Sequence, residues 1–165
     1  MVDVGIFTSP TKGRITTGQM VEELVDFTKK ETDYLYKLVI GTDSKTGRPN
    51  GSKPVNFITA IVIHRIGKGA RYFWQKKTAY KIGSLRDKIY TETLFSIQMA
   101  EKIVPEFTNR LNGQRCNVEI HIDVGNQGPT REMIKEVVGM VTGNGFNAKT
   151  KPESFGASYV ADRHT

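Results

Sequence analysis

The spacing of hydrophobic and polar residues predicts a chain in which helices and strands share one core. Thr16 and Gln19 have capping-box spacing ahead of apolar residues that recur on one helical face. A second capping signal stands at Ser84, and Pro105 is expected to end the helix that follows. Helices are therefore predicted over residues 17–30, 84–104 and 131–142, with a further helix beginning in the tail "GASYVADRHT".

Apolar and alternating segments between these helices predict five strands, over residues 36–42, 56–66, 70–80, 117–124 and 146–150. The first three follow one another without a helix, and "GKG" at 67–69 has the composition of a tight hairpin turn, so they should pair antiparallel. The last two alternate with helices and should run parallel through right-handed crossovers. The predicted fold is α/β: a five-stranded mixed sheet flanked by helices, with an extra N-terminal helix.

Length and composition fit a soluble globular protein. The chain has 165 residues, of which 38% are hydrophobic and 25% charged, a balance typical of one folded domain. No apolar run approaches the ~20 residues that span a bilayer, and the N-terminus does not resemble a signal peptide. One cysteine, Cys116, excludes an internal disulfide and is interpreted as an inert thiol. These features predict a cytoplasmic protein without a membrane partner.

The charge distribution changes this picture. The net charge is +7, and no acidic residue occurs between Asp43 and Asp87. A one-sided basic block attracts polyanions and favours nucleic acid as a partner, whereas the alternative is a solubilising lysine face. The candidate nucleic-acid-binding residues are Lys45, Arg48, Lys68, Arg71, Lys76, Lys77 and Arg86.

Four carboxylates stand where burial or a strand end is expected. Asp43 follows the apolar strand "LVIGT", and Asp123 follows "VEIHI" in the same way. Glu92 falls on the apolar stripe of the second helix, where an unpaired carboxylate is costly. Asp162 lies among small and apolar residues of the tail. Turn-forming or solvated roles explain each one singly, but together they suit Mg²⁺ or Mn²⁺, two of which can hydrolyse a phosphodiester.

Element order (β-β-β-α-β-α-β-α) and acid order (Asp, Glu, Asp, Asp) resemble those of ribonuclease H-like domains. The motifs "IGTDSK", "AIVIHRIGKGA", "SLRDKIYTET", "HIDVG" and "SYVADRHT" more narrowly resemble the YkuK-type ribonuclease H-like proteins, a family of uncharacterised proteins. The resemblance covers residues 36–165, the predicted ribonuclease H-like domain, after an extension at 1–35 that contains one helix. It implies a metal-dependent nuclease in which Asp43, Glu92, Asp123 and Asp162 are the catalytic metal ligands.

The same resemblance assigns supporting roles. Ser44 stands where ribonucleases H proper usually have glycine after the first aspartate, so specificity for RNA–DNA hybrids is not implied. His121 shares a strand face with Asp123 and is a candidate for orienting the ligands or moving a proton, as are His164 and Ser44. His64 is interpreted as structural.

The sequence predicts a nuclease that uses Mg²⁺ or Mn²⁺, and it leaves RNA and DNA both open as substrates. The alternative is a nucleic-acid-binding module of the same fold without catalysis. "IDVGNQGPT" also resembles a phosphate loop of actin-type and sugar-kinase ATPases. Those enzymes need two such domains, however, and this length supplies one.

Overall fold

The computed structural model describes residues 5–45, 54–79, 81–154, 160 and 163. Seven strands form one sheet: β1 (Ile6–Ser9), β2 (Gly13–Thr16), β3 (Tyr36–Lys45), β4 (Val55–Arg65), β5 (Ala70–Ala79), β6 (Cys116–His121) and β7 (Asn147–Lys149). Three α-helices accompany them: α1 (Thr17–Lys30), α2 (Leu85–Asn109) and α3 (Ile134–Gly143), the last preceded by a 3₁₀ turn at Arg131–Met133. In the tail, Val160 and Arg163 are helical, and the rest of the predicted fourth helix lies outside the described residues.

The sheet has the strand order β2-β1-β5-β4-β3-β6-β7, so the prediction of five strands was wrong. The two additional strands, β1 and β2, have four residues each and form a hairpin that pairs with β5 through Thr8 and Trp74. Its turn is held by the Ser9 hydroxyl, which accepts from the backbone N–H of Lys12 at 3.1 Å. Strands this short have too few positions for a periodic signal. The mixed pairing was confirmed: β3, β4 and β5 are antiparallel, whereas β6 and β7 run parallel to β3.

The bounds of α1 match the prediction at both ends, whereas α3 begins later than predicted, after the 3₁₀ turn, and α2 ends later than predicted. The capping box of α1 is present, with Gln19 N–H donating to Thr16 Oγ1 at 3.2 Å and Thr16 N–H donating to Gln19 Oε1 at 2.9 Å. The prediction that α2 ends at Val104 was wrong, because the helix continues through Pro105 to Asn109. A proline removes one backbone hydrogen bond, and burial of Phe107 in the last turn offsets that loss.

Alternation along β3 divides its side chains between two faces. Leu38 and Ile40 belong to the main core with residues of α1, α2 and α3, so all three described α-helices cover this side, called here the helical face. The opposite face carries a smaller cluster in which Val160 packs with Ala60 and the half-buried Trp74. The described helices therefore cover one face of the sheet, and Val160 packs on the other.

Candidate active site

Asp43 and Asp123 lie at the same end of the sheet. The last parallel pair between β3 and β6 joins Gly41 to His121, and each aspartate stands two residues further along its chain. Alternation places both on the face opposite the helices. The strand limits differ from the prediction: β3 continues past Asp43 to Lys45 because β4 still pairs with it, and β6 stops at His121.

Glu92 reaches this end of the sheet from the helical face. Its side chain is buried, with 3% of the residue exposed, and the Ser44 hydroxyl donates to Glu92 Oε2 at 2.7 Å. Burial and, to a smaller extent, the nearby charges of Asp43 and Asp123 raise the pKa of Glu92 to about 8, against the lowering effects of Ser44 and Lys88. The stripe position in the sequence thus corresponds to a carboxyl group that is largely protonated at neutral pH.

A layer of hydroxyl groups fixes α2 against the sheet next to Glu92. Thr42 Oγ1 lies 2.8 Å from Ser96 Oγ and 2.9 Å from Thr59 Oγ1, and all three residues are buried. Ser96 is one helical turn after Glu92, so these bonds hold the glutamate in register with Ser44. The sequence contained a signal for this layer, since Ser96 was on the predicted apolar stripe and Thr42 precedes Asp43.

Two lysines contact the acids, and neither was predicted. Lys151 Nζ lies 2.8 Å from Asp123 Oδ1, and Lys88 Nζ lies 3.9 Å from Glu92 Oε2. Lys88 is one turn before Glu92 on α2, a spacing that could have indicated the pair. Lys151 reaches Asp123 only through the tertiary fold, because it comes two residues after β7.

The donor set fits Mg²⁺ or Mn²⁺ in type, because it consists of carboxylate oxygens. It also attracts cations, since ammonium groups already lie beside two of the three carboxylates. Within the described parts of the chain, however, no three acidic, histidine or cysteine side chains converge closely enough to hold an ion. Asp162, the fourth predicted ligand, lies outside the described residues.

His121 is buried on the face that carries Asp123. Its Nε2 lies 3.1 Å from Glu119 Oε1, and Lys37 Nζ lies 3.4 Å from Glu119 Oε2. Burial lowers the pKa of His121. Burial alone would raise the pKa of Glu119, but bonding to His121 and Lys37 outweighs it, so the net shift is downward. An ionised Glu119 beside a neutral His121 is the arrangement these shifts favour. His164 lies outside the described residues.

The predicted basic block is divided between the two ends of the sheet. Lys76 shares a row with Asp43, and Lys77 shares the next row with Ser44. Lys77 Nζ also lies 5.1 Å from the centre of the Phe95 ring. Lys45, Lys76 and Lys77 are exposed at the acidic end, which we call the carboxylate end.

Of the other predicted cations, the three that lie within the described residues are paired with acids. Lys68, in the turn after β4, lies 2.9 Å from Glu31, and Arg71 lies 3.4 Å from Glu23. Both are at the opposite end of β4 from Asp43, roughly 20 Å away at about 3.3 Å per residue. The predicted hairpin turn at 67–69 already indicated this separation. Arg86 contacts Glu136 at 2.9 Å, and Arg48 lies outside the described residues.

Comparison with known proteins agrees with this architecture. The model of the family described as "Ribonuclease H-like" matches residues 19–165. The chain therefore belongs to the ribonuclease H-like family, and that prediction is confirmed. It is also 35% identical, over 175 aligned residues, to "Uncharacterized protein YkuK" of Bacillus subtilis (strain 168); the alignment covers 100% of this chain and 99% of that protein. No solved structure matches the chain. None of the described helices is long and apolar enough to cross a membrane.

Proposed function

We propose that this protein is a metal-dependent nuclease that hydrolyses phosphodiester bonds of nucleic acid at the carboxylate end of its sheet. The observation that carries the proposal is the position of Asp43, Glu92 and Asp123 at one end of the sheet, where Glu92 is buried and accepts a hydrogen bond from Ser44. Buried, mutually repelling carboxylates destabilise a fold, and they are typical of sites that bind a cation. Membership of the ribonuclease H-like family supports the same interpretation.

Asp43, Glu92, Asp123 and Asp162 would hold the ions. When bound, Mg²⁺ or Mn²⁺ would polarise the phosphodiester and make water a stronger nucleophile. Ser44 keeps the carboxyl group of Glu92 turned toward the strand ends, and the Thr42–Ser96 bond holds α2 at a fixed height above β3. Burial lowers the pKa of His121, whose Nε2 is bonded to Glu119, and His121 would orient the strand that leads to Asp123.

The exposed lysines of the carboxylate end would bind the phosphate backbone. Lys76 is two strands from Asp43 in the same row, a spacing of about 10 Å, which places a phosphate contact within a few nucleotides of the scissile bond. Such contacts orient a strand without reading its sequence. Either RNA or DNA satisfies them.

A non-catalytic nucleic-acid-binding module is the second candidate. One observation favours it: Lys151 and Lys88 accompany two of the three carboxylates, and the described residues contain no convergent group of three ligands. In such a module the two lysines would balance the charge of the acids in place of metal ions, and the acids would have no catalytic role. The two candidates differ in whether divalent metal changes the protein at all.

The test is cleavage of labelled single-stranded, duplex, hybrid and branched nucleic acids in Mg²⁺ or Mn²⁺, by the wild type and by Asp43→Asn. We expect the substitution to lower the rate at least about a hundredfold, the scale of losing one group that stabilises a transition state. Asp33→Asn is the matched control, because Asp33 is an exposed aspartate that precedes the first residue of β3, at the end of this strand away from Asp43.

Thermal unfolding of both variants separates a catalytic loss from a folding defect. Cleavage that survives Asp43→Asn would contradict the site assignment. Nucleic-acid binding without cleavage of any substrate, and without metal-dependent stabilisation, would favour the binding module.

A further inference from the structure

A polar strip crosses the last rows of three neighbouring strands at the carboxylate end. Lys45 of β3 lies opposite Asn56 of β4, and Asn56 lies opposite Thr78 of β5. Lys76 stands two residues before Thr78, so alternation places all four side chains on the face opposite the helices, together with Asp43. Lys45, Lys76 and Thr78 are exposed, and Asn56 is half-buried. The strip therefore presents two ammonium groups and a neutral polar pair to solvent beside a predicted catalytic carboxylate.

The centre of the strip is an amide–hydroxyl pair. Thr78 Oγ1 donates to Asn56 Oδ1 at 3.0 Å across the two strands. Because the amide accepts through its oxygen, its NH₂ group keeps two donors, and the Thr78 oxygen keeps its capacity to accept. The hydrogen bond also fixes the two side chains relative to each other. A donor and an acceptor are thus held side by side on the surface of the sheet.

Two cations flank this pair. Lys45 is one strand from Asn56, about 5 Å along the row, and Lys76 is two residues from Thr78, about 7 Å along β5. In the part of the chain that the structure describes, neither ammonium group is paired with an acid, whereas the two predicted cations at the opposite end of the sheet contact glutamates. A lysine ammonium group is a point charge on a flexible stem and binds phosphate oxygens readily. The charge and the neutral donors of the strip therefore complement a nucleic-acid backbone.

We propose that one strand of the nucleic acid crosses β3, β4 and β5 along this strip, with phosphates on Lys45 and Lys76 and the backbone between them on Asn56 and Thr78. The cations neutralise phosphates. The neutral pair donates to a phosphate oxygen or exchanges hydrogen bonds with a ribose 2′-hydroxyl, which is both donor and acceptor. Either contact is to the sugar–phosphate backbone and reads no base. The inference rests on the proposed function only through nucleic-acid binding, which both candidate functions share, and it requires no bound cation.

The neutral pair has a signature that separates it from the lysines. Contacts between cations and phosphates make affinity fall with salt, whereas a neutral contact releases no counterion. Asn56→Leu and Thr78→Val should therefore each weaken oligonucleotide binding about two- to tenfold, the range of one hydrogen bond, with the slope of log affinity against log salt unchanged. Lys76→Met should weaken binding and also lower that slope by about 1.

Fluorescence anisotropy of the full chain measures these effects, with a labelled single-stranded RNA and the DNA of the same sequence, in EDTA at several salt concentrations. EDTA prevents metal-dependent cleavage, so that binding is measured alone. A loss confined to RNA assigns the neutral pair to the 2′-hydroxyl, and an equal loss for RNA and DNA assigns it to phosphate. Both results support the path across the strip.

Matched variants show that the position, and not merely the substitution, decides the result. Asn117→Leu makes the same change on the same face at the opposite end of the sheet, where Asn117 is exposed opposite Lys37 of β3, and it should bind as the wild type does. Thr78→Ser keeps the hydroxyl group and should also bind as the wild type does. Thermal unfolding verifies that each variant is folded, and the two separate variants of the neutral pair allow for a folding defect in one of them.

The outcomes distinguish this inference from the function on which it rests. If the wild type binds the oligonucleotides and Asn56→Leu and Thr78→Val bind them equally tightly, the path is contradicted while the proposed function stands. A loss for Asn117→Leu as large as that for Asn56→Leu contradicts the path as well. A wild type that neither binds nor cleaves nucleic acid, with or without Mn²⁺, overturns the proposed function together with this inference.

Discussion

Arg65 and Glu92 are both buried ionisable residues, and they lie at opposite ends of the sheet. The Arg65 guanidinium donates to Tyr36 Oη and to the Phe27 carbonyl, each at 2.9 Å. It also lies 4.0 Å from the centre of the Phe27 ring. Glu92 has one short hydrogen bond, from Ser44, and two other acids near it.

The surroundings of these two residues show how a buried ionisable group with a structural role differs from one with a functional role. Arg65 is surrounded by acceptors and aromatic faces that favour its charged form, so its burial holds α1 on the sheet. The surroundings of Glu92 favour its neutral form, so its ionised carboxylate would be stabilised by an added positive charge. A fold retains the second arrangement at a cost in stability, and functional sites are where such costs are found.

The largest effect on stability is expected from removing the buried guanidinium group of Arg65, whose charge is satisfied by its neighbours. Arg65→Met should lower the free energy of unfolding by about 3–5 kcal/mol, because Tyr36 and the Phe27 carbonyl lose their buried donor. Urea denaturation measures this change. Arg71→Met is the matched control: Arg71 lies 5.3 Å from the same ring but is 30% exposed, and its loss should cost less than about 1 kcal/mol. Equal losses for the two variants would contradict the structural role of Arg65.

Removing the titratable carboxyl group of Glu92 should change stability with the opposite sign. The pKa of Glu92 is raised from 4.5 to about 8 in the folded protein, so the unfolded chain releases this proton first. The stability contributed at this position is therefore lost as the pH rises from about 4.5 to about 8, and below that window both states are protonated.

Glu92→Gln keeps an acceptor for Ser44 and removes the titration. At pH 7 it should be more stable than the wild type by about 3 kcal/mol, with the difference vanishing near pH 4. Urea denaturation at several pH values measures the difference, and Glu101→Gln, at an exposed position of the same helix, is the control. A pH-independent gain, or a loss at pH 7, would contradict the raised pKa.

The sequence could predict the acidic side of this contrast, because local patterns indicate it, whereas the burial of Arg65 was not predicted. Asp43 and Asp123 each follow an apolar strand, and parallel pairing brings such positions to one end of a sheet. Glu92 was found because a charge interrupted a helical stripe. The hairpin β1–β2 was not predicted because each of its strands has only four residues. The continuation of α2 beyond Pro105 was not predicted because tertiary burial of Phe107 outweighs the local signal of the proline.

Residues that meet only through the fold could not be predicted. Lys151 is 28 positions from Asp123 and reaches it because the β7 register brings Lys149 beside His121. The basic block was a pattern of composition, and composition does not record direction along a strand. The predicted hairpin turn did indicate this direction. It follows the end of β4 that lies away from Asp43, so it separates Lys68 from the acids.

The smallest effect concerns which end of the sheet binds nucleic acid. The double variant Lys76→Met/Lys77→Met should bind a labelled oligonucleotide about tenfold more weakly at low salt and lower the slope of log affinity against log salt by about 2, because two phosphate contacts are lost. Lys68→Met/Arg71→Met removes the same charge from the other end, where both side chains are already paired with glutamates. If net charge alone governed binding, the two double variants would weaken it equally. Loss confined to the first would place the nucleic acid across the carboxylate end, on the side of Glu92 rather than that of Arg65.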